Sequence, residues 1–511
     1  MIGLRLLAVG VLVLLEMASW SGYAYAQGPC WSTSSRLSIP LSDWGWFPDV
    51  AVDGRGGVHV IWQAGQCSTQ LDKPCLMYST RLADGSWSTY DVFVDKGAGQ
   101  SAIRSATAVS TDNRLHLVYL RDFTAIDYQQ VSVEGATGAQ AWTKPHQISG
   151  LGHAYFPDIA IDSHGNIHAV WTEAAGNPPS SVCPTGDCSD VFYRRSTDGG
   201  GKWSPIVNLS RSAVGTMKVH VRIDPSDRIH VFWEEGGDRW VTDQPVGVAY
   251  ALSLDGGTSW SAPVTFTYAN DVPRQITVGI GGKGQILAIW RPMHGDTVFY
   301  QISSDGLSWS PPRAIPGFYA TKTFGVFDVY DAATDSLGAV HVVAAGRGWA
   351  SGEQAVFHLE WDGQTWSKPE QVSPYGGYPE FPRLAISEGN KLHVAWYTKQ
   401  LVGYEEGQEM QVWYSECQTS APAEASALLP TKVPVATLQP SPTPLPVPTT
   451  WPTVVPGNSG IPNADALYTE GDEVTHLLIA VAPLAIITAV VIVVRSGWGR
   501  KILGLFNRRD R

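Results

Sequence analysis

Trp followed by Ser or Thr recurs at a near-regular interval of 49 to 61 residues at seven positions, Trp31, Trp87, Trp142, Trp203, Trp260, Trp309 and Trp366. Self-similarity at this period marks supersecondary units that cannot bury an apolar face alone and must stack. A second pattern keeps step with it, as Asp53, Gly57, His59 and Trp62 show in its first copy. Its histidine position reads His59, His116, His168, His230, Leu287, His341 and His393. Only 16% of the 511 residues are charged and 21 are Trp, a β-rich composition rather than a disordered one. The formal charge of -12 argues against nucleic acid as a partner.

Each unit reads as four strands. In the third, Pro157 to Asp162 alternates apolar and polar, Ser163 to Asn166 is a turn, and Ile167 to Trp171 returns. A third strand surrounds Phe192, Thr197 to Gly200 turns the chain, and a fourth runs from Trp203 to Leu209. Alternation bounded by Gly, Asn and Asp is the hairpin signature. Four antiparallel strands in about 55 residues make a propeller blade. The expected fold is therefore all-β: a seven-bladed β-propeller of four-stranded antiparallel blades over residues 27–418.

The last hairpin ends at Cys417 without a following Trp-Ser strand, and the missing strand stands at the other end of the chain, from Trp31 to Leu37. The N-terminal strand is thus expected to close the last blade and leave no open edge. The six cysteines agree: Cys67 and Cys75 share one loop, Cys183 and Cys188 another, and Cys30 and Cys417 flank the two strands expected to meet. Closing so long a loop is worth about 5–6 kcal/mol in the chain-entropy model, as an upper bound.

The ends specify a place in the cell. Arg5, the apolar run Leu6 to Leu15 and Ala24-Tyr25-Ala26 read as a signal peptide over residues 1–26. Residues 419–474 form a Pro/Ser/Thr-rich stalk, with ten prolines between 421 and 460, which favours extended polyproline II. Leu477 to Val494 carries no charge and is long enough to span a bilayer as one transmembrane helix (475–494), and a short basic tail (495–511) follows. The positive-inside bias puts that tail in the cytoplasm. The expectation is a single-pass plasma-membrane protein with its propeller outside.

Ser196-Thr197-Asp198-Gly199-Gly200-Gly201-Lys202-Trp203 and Ser253 to Trp260 both fit Ser-x-Asp-x-Gly-x-x-Trp, and Ser303 to Trp309 is one residue short of it. This resembles the Asp-box, or BNR repeat, of the sialidase-like β-propeller superfamily, over about residues 30 to 418. In that superfamily the box lies opposite the active site, so the resemblance implies a structural role for Asp198, Asp255 and Asp305. Sialidase-like folds commonly have six blades, and the family's opening Arg-Ile-Pro is replaced here by Phe47-Pro48-Asp49, with an echo at Phe381-Pro382-Arg383. The repeated histidines are read as blade-packing residues, because a metal site needs ligands that converge at one point. No metal and no cofactor is expected.

Where the repeat breaks, chemistry can sit. The starts of the first strands align Asp49, Ala106, Asp158, His220, Thr277, Asp331 and Arg383. The ends of the second strands bring Arg121, Glu173, Glu234, Arg291, Arg347 and Tyr397 to the same face, with Trp46, Tyr155 and Tyr378 in the nearby loops. Asp49, Asp158, Asp331, Glu234 and Tyr397 are the candidate catalytic groups, since paired carboxylates serve as acid and base in glycoside hydrolysis. Arg121, Arg291, Arg347, Arg383, Glu173, His220, Trp46, Tyr155 and Tyr378 are the candidate ligand contacts. The resemblance implies three arginines on a carboxylate and a Tyr activated by a Glu, but no such set can be assigned residue by residue. Two functions stay open: a membrane-tethered head recognising a glycan or protein ligand outside the cell, and a sialidase-like exo-glycosidase at the cell surface. A third is an assembly scaffold for another membrane protein.

Overall fold

A computed structural model of the chain describes residues 30–38, 45–65, 74–92 except 83, 101–150, 152–174, 188–236, 245–269, 271–321, 328–349, 352–375, 377–399 and 410–424. The expected signal peptide, membrane helix and tail, the stalk beyond residue 424, and Cys67 and Cys183 lie outside these residues, whereas Thr419 to Glu424, expected to begin the stalk, pack on the propeller, with the Thr419 amide donating to the Asn390 carbonyl at 2.9 Å. Among the described residues no helix is long and apolar enough to cross a membrane.

The chain is an all-β propeller of antiparallel sheets. Four consecutive stretches each fold into one four-stranded sheet. Their innermost strands are Gly45–Val52, Ala102–Val109, His153–Ile161 and Thr216–Ile223. A fifth four-stranded sheet is closed by the N-terminus: Ser35–Arg36 pairs with Met410–Gln418, followed inward by Lys391–Lys399 and Tyr378–Ser387. Ser35 lies opposite Tyr414 and Arg36 opposite Trp413. A disulfide joins Cys30 to Cys417, with 5.0 Å between their Cα atoms. Cys75 and Cys188 are also disulfide-bonded.

The expectation of seven separate four-stranded sheets is corrected. Five sheets are separate, and the remaining eight strands, from Pro273–Ile280 to Glu370–Gln371, form one sheet. The cause is the strand Arg313–Ala320. It begins against its hairpin partner Thr297–Ser303, bends at Gly317 (φ 69°), and ends with Tyr319 and Ala320 opposite Arg347 and Gly346 of the next hairpin. Gly346 permits that junction, because a Cβ there would stand 2.2 Å from the Tyr319 carbonyl oxygen. Each innermost strand packs on the next, and Tyr378–Ser387 returns to Gly45–Val52, completing a ring.

The repeated residues hold this ring together. His59, His116, His168, His230 and His393 each bring Nδ1 to 2.7–2.8 Å from a tyrosine hydroxyl of the third strand, those of Tyr78, Tyr128, Tyr193, Tyr250 and Tyr414. Nε2 faces a carboxylate or hydroxyl of the first turn, as at Asp53, Asp162 and Ser110. These aspartates also fasten the turn, since Asp53 Oδ1 accepts the Arg55 and Gly57 amides at 2.8 Å. The tyrosines carry the contact onward. Trp203 packs edge-on against Tyr128 of the preceding sheet, Trp260 against Tyr193 and Trp309 against Tyr250, at centroid distances of 5.1, 4.9 and 5.3 Å. Trp31 of the closing strand meets His358 in the same way. The Trp-Ser/Thr period is therefore the period of inter-sheet packing. In the turns before these tryptophans, Ser196, Ser253 and Ser303 accept the Gly200, Gly257 and Gly306 amides at 2.8–2.9 Å. Asp198, Asp255 and Asp305 accept the Lys202, Ser259 and Ser308 amides at 2.8 Å.

Candidate functional site: an axial cavity with a strained rim

The innermost strands of every sheet line one cavity of about 590 Å³. Six of these strands carry the same irregularity near their start, a bulge at which the pairing register slips. At each bulge a non-glycine residue has left-handed backbone: Phe47, Arg104, Phe156, Lys218, Gln275 and Phe381, with φ between 47° and 55°. Such a conformation costs of order 1–3 kcal/mol per residue and persists only where the surroundings impose it. Five of the six, all but Gln275, turn onto the cavity wall. The rim therefore alternates aromatic rings with cations. The Arg104 guanidinium lies 4.2 Å from the Phe47 ring centroid and 5.2 Å from that of Phe156, and its Nε donates to the Tyr155 hydroxyl at 3.0 Å. Arg383 lies 3.8 Å from the Phe381 centroid.

Below the rim, Asp49, Asp158 and Asp331 occupy one equivalent position on three strands and make the same bond. Each accepts a backbone amide of the next innermost strand: Thr107 at 2.6 Å, Val221 at 3.0 Å and Leu384 at 3.0 Å. They latch neighbouring sheets together. Two of them also belong to a chain of alternating charges. Arg383 pairs with Asp328 at 2.8 Å, Asp328 with His220 at 3.1 Å, His220 with Asp158 at 3.3 Å, Asp158 with Arg222 at 3.4 Å, and Arg222 with Asp331 at 2.6 Å. Burial opposes the charge on His220, but Asp328 and Asp158 outweigh it and raise its pKa to about 9. Burial likewise opposes ionisation of Asp158, yet His220 and Arg222 hold its carboxyl below the usual range. Asp49 stands outside this chain, and among the described residues it makes no ion pair within 4.0 Å. Burial, set against the pull of Arg383, pushes its carboxyl up to about 7.

Of the candidates, Asp49, Asp158, Asp331, His220 and Arg383 line this cavity; the others do not. Glu234 is buried against the Lys218 ammonium at 3.3 Å and accepts the Gln275 amide. Tyr397 is fully buried, and its hydroxyl donates to Glu380, not to Glu234; burial and that carboxylate raise its pKa well above the usual tyrosine value. Glu173 caps the Gly150 and Gly152 amides and the Trp171 indole. The arginines do not converge on a ligand. Arg121 is held by Asp127 at 2.7 Å and Arg347 by Asp296 at 2.6 Å. Arg291 is 1% exposed and spends its donors on Gln275 and three backbone carbonyls. Tyr155 supports Arg104 from behind, Trp46 packs edge-on against Phe47, and Tyr378 is largely exposed away from the cavity wall. Sequence reasoning missed Arg104, Lys218, Arg222 and Asp328. The Phe-Pro pairs at 47–48, 156–157 and 381–382 were the available signal, since proline cannot donate to a ladder and sits readily at a bulge.

Sheets closed into a ring around a polar axial cavity define the class: a β-propeller. No protein family's pattern and no curated protein matches the sequence. Among solved structures the chain is similar to a protein of unknown function from Dyadobacter fermentans, at 14% identity over 76% of this chain and 100% of the other, with a TM-score of 0.46. It is also similar to the intramolecular trans-sialidase of Ruminococcus gnavus, at 11% identity over 75% and 97%, TM-score 0.44. A third is the polysaccharide lyase Uly1, at 12% identity over 78% and 94%, TM-score 0.46. These likenesses are of fold.

Proposed function

We propose that the protein is a carbohydrate-recognition head that takes its ligand at the mouth of the axial cavity. One observation carries this reading: Phe47, Phe156 and Phe381 are held in strained backbone at the cavity wall, among hydrogen-bonding groups. Aromatic faces beside polar groups suit the apolar faces and hydroxyls of a sugar ring. The three candidate acid-base aspartates are meanwhile engaged as inter-sheet latches, which favours binding over hydrolysis. The eight-stranded sheet is read as two blades bridged by Arg313–Ala320, so that the ring has sevenfold character. We further propose that the head stands outside the plasma membrane on the stalk 419–474, anchored by the apolar run Leu477 to Val494; the signal-like start and the basic tail support this. Full-length protein applied to a glycan array is expected to retain specific saccharides, and Phe156→Ala to lose them. Retention unchanged by that substitution would remove the cavity from the reading.

A second reading has its own observation. The Asp49 carboxyl, at about 7, is poised as a general acid near neutral pH. Turnover of fluorogenic glycosides, abolished by Asp49→Asn, would establish a surface exo-glycosidase instead.

A further inference from the structure

We infer that the axial cavity selects uncharged, hydroxyl-rich saccharides over acidic ones, with Asp49 as the group that accepts hydrogen bonds from the ligand. The inference rests on the recognition reading above and adds the ligand's charge class.

The cavity's cations are already engaged by internal partners. His220 is shared by Asp158 and Asp328, Arg222 by Asp158 and Asp331, Arg383 is held by Asp328 and Lys218 by Glu234. Arg104 is laid against aromatic rings and bonded to Tyr155. At every cation but Arg104, an anionic ligand would have to draw the charge away from a buried carboxylate and leave that carboxylate uncompensated. Asp49, Asp158, Asp328 and Asp331 on the same wall would repel it as well.

The three equivalent aspartates differ in their partners. Asp158 and Asp331 share Arg222 in addition to their backbone amides. Asp49 receives the Thr107 amide on Oδ2 at 2.6 Å and reaches the cavity wall between Phe47 and Arg104. It therefore has acceptor capacity to offer, and sugar hydroxyls are the donors a neutral saccharide supplies. Around it stand Arg383 on Tyr378–Ser387, Asp158 on His153–Ile161, Asp331 on Tyr330–Thr334, Arg222 on Thr216–Ile223 and Arg104 on Ala102–Val109. Burial and the neighbouring carboxylates bring Asp49 into titration near neutrality, against Arg383. Its acceptor strength then grows as pH rises through 7.

The test is calorimetric titration of the full-length protein with neutral oligosaccharides, and with sialylated or uronate-bearing ones of equal length, at pH 6 and pH 8. The expected result is at least about tenfold tighter binding of a neutral saccharide, stronger at pH 8 than at pH 6. Asp49→Asn keeps an oxygen for the Thr107 amide, and is expected to weaken that binding about tenfold and remove its pH dependence. The wild-type pH dependence reads the same group without any substitution. Preference for acidic saccharides, or neutral binding indifferent to both pH and Asp49→Asn, overturns the inference alone. Binding of neither class overturns the recognition reading and this inference with it.

Discussion

The turn ends of the sheets and the starts of their innermost strands obey different rules. At the turns one solution recurs in five repeats, a histidine between a tyrosine hydroxyl and an acidic or hydroxyl group, with a tryptophan from the next sheet on the tyrosine, as at Tyr128 and Tyr193; only Leu287 and His341, which meets His358, depart from it. At the strand starts only the backbone device repeats, the left-handed bulge, while its side chains change from Phe to Arg to Lys to Gln. The scaffold is thus uniform because every sheet must pack on its neighbour by the same geometry. The cavity is uneven because its residues answer to one another across the axis.

Substitutions sharpen that contrast, beginning with the largest effect. Arg222→Ala leaves Asp331 buried without an ion pair and Asp158 with His220 alone, and is expected to cost about 3–5 kcal/mol in urea denaturation. At the equivalent latch positions, Asp158→Asn and Asp331→Asn should cost more than Asp49→Asn, because only the first two lose an ion pair; equal costs would erase the asymmetry. Replacing Cys30 and Cys417 together with serine should cost about 2–5 kcal/mol by releasing the ring's closure. His168→Phe and His230→Phe should each cost about 1–3 kcal/mol and match each other closely, since each strands one tyrosine hydroxyl. A large gap between them would break the equivalence of the repeats.

The pH dependence of Tm separates the two regions by sign. The His220 pKa is raised from 6.5 to about 9, so its contribution is complete below 6.5 and is lost as pH rises through 9. Burial lowers the scaffold's His116 and His393 to about 4 and about 3, so their contribution is present above 6.5 and fades as pH falls toward those values. Alkaline titration should therefore weaken the cavity, and acid the scaffold. His220→Gln should flatten only the alkaline limb.

Closure was legible because it followed from counting: a hairpin without its last strand at Cys417, and a strand without a hairpin at Trp31. The merged sheet was not legible, because it depends on a bend at Gly317 and a close approach at Gly346. Among site residues, Asp49, Asp158, Asp331, His220 and Arg383 were found by asking where the repeat breaks. Arg121, Arg291 and Arg347 were found by the same rule, and the fold occupies each with an internal partner. Ion pairs such as Arg222 with Asp331 and Arg383 with Asp328 join residues 109 and 55 positions apart, and no local pattern announces them.

By itself the sequence determined the β architecture, the inter-sheet packing period and the joining of the two chain ends, since these follow from alternation, turn chemistry and repeat counting, all short-range properties. Which charged groups remain available to a ligand was decided only by the tertiary structure. Pairing depends on which innermost strands face one another across the axis, and that distance exists only once the ring has closed.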